Sequence, residues 1–447
     1  MTVASKGRMR KVKETRSEMN SKLFEFISLC PTAYHAVAHV AKRLENEGFL
    51  PLYEDGEWQL EPGKGYYVVR GGSSLIAFRA PDKNFSGFMM SASHCDSPAF
   101  KIKENAELAD KNYLRLSTEK YGGMLCSTWL DRPLSVAGRV CVRTPGGFET
   151  RLVDFGAPVA VIPNVAIHMN RAANEGMSYN ASVDMLPLFA DGERGGAFFD
   201  ALSEKAGAEK EDILSSDLFL YAPDKGIEWG DFISAPRLDD LQCAFASLYA
   251  FLASKQGESV PVYCLFDNEE IGSSTKQGAA STFLADVLEQ ICISKGLDRS
   301  EQKRKLASSF LLSCDNAHAV HPNHGEYADK NHSVYMNGGI VVKYNANQRY
   351  TSDAVSSAVF RLVSEEAGVP LQYYANRADM PGGSTLGNIA NTKVSVNTVD
   401  IGLAQLAMHS AFETAGARDT DYMAKALTVF FGKSLALSSA RNAYSLV

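Results

Sequence analysis

Four short apolar runs punctuate the chain, each closed by polar residues: "SGFMMSASH" (86–94), "PVYCLF" (261–266), "SSFLLSCD" (308–315) and "TKVSVNTVD" (392–400). Continuous apolar runs of this length predict strands buried on both faces. Between and around them lie segments with apolar positions at helical spacing: "RLDDLQCAFASLYAFLASK" (237–255), "GAASTFLADVLEQICISKG" (278–296), "TSDAVSSAVFRLVSEEAG" (351–368) and "GLAQLAMHSAFETAG" (402–416). Leu241, Phe245, Leu248 and Leu252 share one face of the first. Nearer the N-terminus, Val37, Val40, Ala41 and Leu44 predict another helix, with Thr32 as a possible N-cap and Gly48 as its stop. Strands alternating with helices predict an α/β fold, a sheet flanked by helices.

The middle third breaks this rhythm. Its short β-like pieces ("YLRLS", "GRVCVRT", "FETRLVDF", "APVAVIP") are separated by Gly and Pro and followed by the polar, Gly-rich "ADGERGGAFF". The change predicts an inserted β-rich domain over residues 97–222, splitting an α/β domain made of 1–96 and 223–447. A chain of 447 residues has room for both, since one core stops growing at about 250–300 residues.

Composition narrows the function class. No stretch approaches the roughly 18 apolar residues of a membrane span, and a net charge of -7 argues against a general nucleic-acid binder. The basic start "MTVASKGRMRKVKETRSEMN" is expected to be a solvated tail. No export is expected, because the next segment carries Lys22 and Glu25. Eight scattered cysteines without a Cys-x-x-Cys pair suit reduced thiols and a cytoplasmic location.

In an open α/β sheet, ligands gather at the carboxyl ends of strands. Five segments place carboxylates or imidazoles near such ends: His94 and Asp96; Asp239 and Asp240; Glu269 and Glu270; Asp315, His318 and His321; and His409. Each alone is an ordinary turn or cap residue. Together, a mixed Asp/Glu/His set without paired cysteines suits zinc in an open catalytic site. The number of carboxylates suggests two ions bridged by an Asp, which would activate a shared water; another carboxylate must then stay off the metal to take the proton.

"CSTWLDRPLSVAGRV", "SAPRLDDLQCA", "DNEEIGSSTKQGA", "DNAHAVHPNH" and "PGGSTLGNI", in this order, resemble the aspartyl aminopeptidase family in its bacterial type: dinuclear zinc exopeptidases with an α/β domain interrupted by an oligomerisation domain. The resemblance implies that Asp239 bridges two zinc ions, replaceable by cobalt or manganese. His94 and Asp315 would complete one site, and Glu270 and His409 the other. It makes Glu269 the general base and Asp96 the carboxylate orienting His94. It places His318 at the oxyanion, and Lys343 with Tyr350 at the acidic side chain of the substrate's first residue. His168 of the insert would reach a neighbouring subunit's site within a tetrahedral dodecamer built from dimers. The substrates implied are peptides with a free N-terminus, Asp or Glu first.

Three positions depart from the family pattern: Cys95, Gly382, and Asp240 beside the bridge. Asp240 is expected to stabilise the N-terminus of the following helix. Rival readings are a cysteine hydrolase built on Cys95, a non-catalytic assembly protein that kept the fold, and a broader-specificity dinuclear aminopeptidase or deacylase.

Overall fold

The computed structural model describes residues 16–441 and 443–447. Its main sheet has nine strands, in the order Leu50–Leu52, Gly65–Arg70, Ser74–Arg79, Val260–Phe266, Phe88–His94, Phe310–Cys314, Asn397–Gly402, Ile340–Tyr344, Leu371–Ala375. The four strands at or just after the apolar runs lie side by side at its centre and run parallel; the last begins only at Asn397, five residues into its run, because 392–394 form a turn. Their flanking neighbours, Ser74–Arg79 and Ile340–Tyr344, are antiparallel to them, so the sheet is mixed.

Alternation along these strands feeds two cores. Met89, Tyr263, Leu265 and Leu312 pack on one face with the helices Arg16–Leu29, Ala33–Asn46, Leu238–Ala253 and Asp419–Phe431. Met90, Val262, Cys264 and Leu311 pack on the other against Phe283–Ser294. Both faces being covered explains why the sequence shows unbroken apolar runs here rather than alternation. Consequently the polar residues that end the runs emerge along one edge of the sheet.

Residues 99–221 supply a second sheet of seven strands. Ile213–Tyr221 pairs with both Ala99–Ala109 and Pro133–Thr144, which closes six of the seven into a ring. Phe100, Trp129, Phe198 and Leu218 are buried in its own core.

Two expectations need correction. Residues 402–416 do not form a helix: they form the strands Ala404–Leu406 and Glu413–Gly416 of a small five-stranded sheet, joined by a turn in which Ala407 and His409 have positive φ. Small apolar residues at helical spacing fit either conformation, and pairing of Glu413–Gly416 with Phe232–Ala235 decides it. Residues 16–20 of the basic start are also not a solvated tail, because the helix Arg16–Leu29 includes them and buries Met19 and Asn20. The rest of that expectation, over residues 1–15, lies outside the described residues. Among the described residues no helix is long and apolar enough to cross a membrane, and all eight cysteines are free thiols.

Candidate metal centre

Two three-residue groups converge at the carboxyl edge of the main sheet. His94, Asp239 and Asp315 bring their ligand atoms within 4.8 Å of one another, and so do Asp239, Glu270 and His409. Asp239 belongs to both. His94 Nε2 lies 3.3 Å from Asp239 Oδ1 and 3.8 Å from Asp315 Oδ1. On the other side, His409 Nε2 lies 3.4 Å from Asp239 Oδ2 and 3.3 Å from Glu270 Oε2.

Local backbone geometry sets each ligand. His94 ends the strand Phe88–His94, and Asp315 directly follows Phe310–Cys314. Asp239 stands in a non-helical step at the start of the helix Leu238–Ala253. After Val260–Phe266, Asn268 turns the chain at φ 64° into the short Glu269–Ile271 turn; asparagine tolerates that left-handed conformation. Asp96 then fixes both glutamates, since its carboxylate accepts from the backbone N–H of Glu269 (3.1 Å) and of Glu270 (3.2 Å).

So much negative charge in a buried place demands compensation. Burial pushes Glu269 up to about 8, with His94 opposing and Asp315, Asp96 and Asp239 adding to the rise. Burial and the Asp239 charge also hold Glu270 well above the carboxylate range. For His409 burial works against the imidazolium, yet Asp239 and Glu270 outweigh it and raise the ring to about 10. Asp239 Oδ1 and Glu270 Oε1 are buried without a hydrogen-bond partner, a costly state for an oxygen that binds nothing. Unpaired oxygens beside imidazole nitrogens form the donor set of a borderline divalent ion, and the residues present fit zinc.

A family model described as "Aminopeptidase I zinc metalloprotease (M18)" matches residues 26–431. A probable M18 family aminopeptidase 2 of Clostridium acetobutylicum is 44% identical over 426 residues, 93% of this chain and 98% of that one. The chain belongs to the M18 family of zinc metallo-aminopeptidases. The five motifs therefore pointed to the right family. A chain in a solved complex of Ape4 and Nbr1 superposes with a TM-score of 0.90 at 33% identity, over 93% of this chain and 86% of that one. The dodecameric mApe1 of S. cerevisiae gives 0.81 at 29%, over 93% and 96%.

Other residues singled out in this M18 sequence take varied places. His94 Nδ1 is 3.1 Å from the Asp96 carbonyl oxygen and 3.4 Å from its carboxylate, so the backbone acceptor is the nearer one. His318 is exposed at the end of Ala317–His318, next to the Tyr374 ring. Desolvation, helped by the Lys343 charge, lowers its pKa and favours neutral imidazole. Lys343 is buried, and its ammonium donates to the Asp315 carbonyl (2.8 Å), the Asp315 carboxylate (3.2 Å) and the Asn316 carbonyl (3.1 Å). It also lies 5.3 Å from the centre of the buried Tyr350 ring. His168 stands exposed on a loop of the insert beside exposed Ile167 and Met169.

Asp240 lies in the first turn of its helix, but its carboxylate serves a strand end. It is fully buried and accepts from the His94 backbone N–H at 3.1 Å. Burial raises the Cys95 thiol well above its ordinary range, and its sulfur faces the carbonyl oxygens of Phe266 and Ser73, which leaves no reactive thiolate for a cysteine hydrolase.

Sequence reasoning missed Glu413 and Tyr121. Glu413 accepts from the backbone N–H of both Asp239 (3.0 Å) and His409 (2.7 Å). Tyr121 donates to the Asp96 carboxylate at 2.7 Å. A lone Glu inside "AFETAG" was the available signal for the first; nothing in the sequence marked the second.

Proposed function

We propose that this M18 aminopeptidase removes N-terminal residues from peptides with two zinc ions sharing Asp239, His94 and Asp315 completing one set and Glu270 and His409 the other. The observation that carries the reading is the pair of ligand groups with one common carboxylate, while Glu269, next in sequence to a ligand, belongs to neither. When bound, such ions supply Lewis acidity and a water of lowered pKa.

The chain's own residues do the rest. Glu269, which belongs to neither ligand group, takes the proton from the attacking water and returns it to the leaving amine. Asp96 holds Glu269 and Glu270 by their backbones, Glu270 inside a ligand group and Glu269 outside both, so that Glu270 would hold an ion and leave Glu269 free for the proton. His318, neutral and exposed, donates to the carbonyl oxygen as it gains charge. Cobalt or manganese should support activity in place of zinc.

Two specificities remain in view. A preference for N-terminal Asp or Glu rests on Lys343 and Tyr350 receiving the substrate carboxylate. A broader specificity is favoured by the three acceptors that Lys343 already serves. Assembly as a cytoplasmic tetrahedral dodecamer, in which exposed His168 reaches a neighbouring site, is supported by the dodecameric relative and by the exposed apolar residues around His168.

The deciding experiment removes metal with a chelator and counts zinc per subunit during restoration. Hydrolysis of aminoacyl chromogenic substrates should stop and return with the second equivalent, while circular dichroism stays constant. Full activity in metal-free protein would sink the reading.

A further inference from the structure

The two ligand sets are anchored differently. The direct partners of His94 and Asp315 all belong to the α/β domain: Asp240 and the Asp96 carbonyl for His94, Lys343 for Asp315; the insert reaches them only at one remove, through Tyr121 on the Asp96 carboxylate. The Glu270 and His409 set is touched by the inserted domain. His409 Nδ1 donates to the Gly123 carbonyl at 2.6 Å, and its own carbonyl accepts from Leu125 N–H at 3.0 Å. Gly122, at φ 73°, packs so tightly that an added Cβ would stand 3.1 Å from Glu270 Cβ and 3.3 Å from Glu270 O. Tyr121 donates to Asp96, whose carboxylate carries the Glu270 amide, and itself accepts from Asn268 Nδ2 at 2.8 Å.

We propose that residues 121–125, leaving the end of the Tyr113–Tyr121 strand of the inserted domain, act as a strap that positions the second ligand set. Affinity for the ion held by Glu270 and His409 then depends on how the inserted domain is seated, and affinity at His94 and Asp315 does not. The chemical logic lies in the imidazole. A ring that gives its Nδ1 proton to a fixed carbonyl keeps Nε2 free as a ligand and holds its direction. His409 is the more exposed of the two histidines, with its side chain 31% accessible against 1% for His94, so it has less surrounding protein to hold it without the strap. Gly122 supplies the close approach that lets the strap lie against Glu270; a Cβ there would have to push Glu270 aside and hold φ 73°.

The inference rests on the two-ion reading, and zinc binding tests each separately. Wild type, Tyr121→Phe, Gly122→Ala and Glu270→Ala are titrated with a chromophoric chelator, after oligomeric state and unfolding temperature have been compared. The class of zinc missing from Glu270→Ala identifies the second site. In Gly122→Ala that class should weaken by about 10- to 100-fold, the usual effect of losing an outer partner of a metal ligand, while the other class moves by less than about two-fold; Tyr121→Phe, which acts through Asp96, should weaken the second class more than the first. Tyr121→Phe removes a single oxygen and, read as the difference between the two classes, decides the matter if Gly122→Ala does not fold. A single class in the wild type would overturn the two-ion reading itself. Two classes that weaken together, or that both hold, would overturn the strap alone.

Discussion

The strand ends and the turn between Ala404–Leu406 and Glu413–Gly416 contribute to one centre by different means. His94 and Asp315 leave parallel strands whose neighbours fix them on both sides, with His94 opposite Phe266 in register. His409 sits at φ 67°, in a turn held by side chains and by the inserted domain. A buried parallel sheet delivers ligands as a by-product of its own stability. An irregular turn must be built from separate hydrogen bonds, each of which can fail on its own.

The largest effect expected contrasts two adjacent residues of the Asn268 turn. Glu269→Gln should keep both zinc ions and lose at least about 100-fold in turnover, the scale of general-base catalysis. Glu270→Ala should lose zinc and activity together. Metal analysis beside kinetics separates the two, and zinc lost from Glu269→Gln but kept in Glu270→Gln would reverse the roles.

Glu413 tests whether the turn depends on its hydrogen bonds. Glu413→Ala leaves the amides of Asp239 and His409 without this acceptor, at a cost of about 1–3 kcal/mol for the buried Asp239 amide and less for the half-buried His409 one. A lower unfolding temperature and weaker zinc binding should follow, with partial rescue in Glu413→Gln, which keeps one acceptor oxygen. An unchanged unfolding temperature would mean that the turn stands without this carboxylate.

Legibility in the sequence followed the same division. Unbroken apolar runs exposed the central strands, and strand-end chemistry exposed His94, Asp239, Glu269, Glu270 and Asp315 as candidates before any family entered the argument. His409 was found as a residue, but its segment was read as a helix, because small apolar residues such as Ala404, Ala407 and Ala411 carry little signal for either conformation. Tyr121 was invisible, since its partner lies 25 residues away, and Glu413 left only the faint mark of a lone Glu in an apolar segment, since its bond to Asp239 spans 174 residues. Hydrophobic period reports which face is buried; it does not report what a buried oxygen touches.

On the strand side, Lys343→Met separates two tasks of one ammonium. If Lys343 chiefly anchors Asp315, catalytic efficiency should fall alike for Asp and Leu substrates, and zinc should bind less tightly at the His94 site. If it receives the substrate carboxylate, the Michaelis constant should rise for Asp alone. The ratio of Asp to Leu hydrolysis reads the difference directly.

The smallest expected effect lies at the foot of the turn region. Asp419 is buried just beyond Glu413–Gly416, and its carboxylate accepts from Asn337 N–H at 2.7 Å. Burial pushes it up to about 7 from an ordinary 3.8, with the Asn337 and Gly339 amides opposing. The folded protein therefore keeps a proton that the unfolded chain releases, and the folded state binds more protons between those two values. Stability from this group is fully present below about pH 4, is lost as pH rises toward 7, and is flat beyond, because ionisation there costs burial energy that the unfolded chain never meets. Asp419→Asn cannot titrate. Its unfolding temperature should carry a constant offset from losing one acceptor oxygen, while the difference from wild type changes across pH 4–7 and levels off above. A pH-independent difference would mean that Asp419 is already ionised at pH 4, with the amides of Asn337 and Gly339 outweighing its burial.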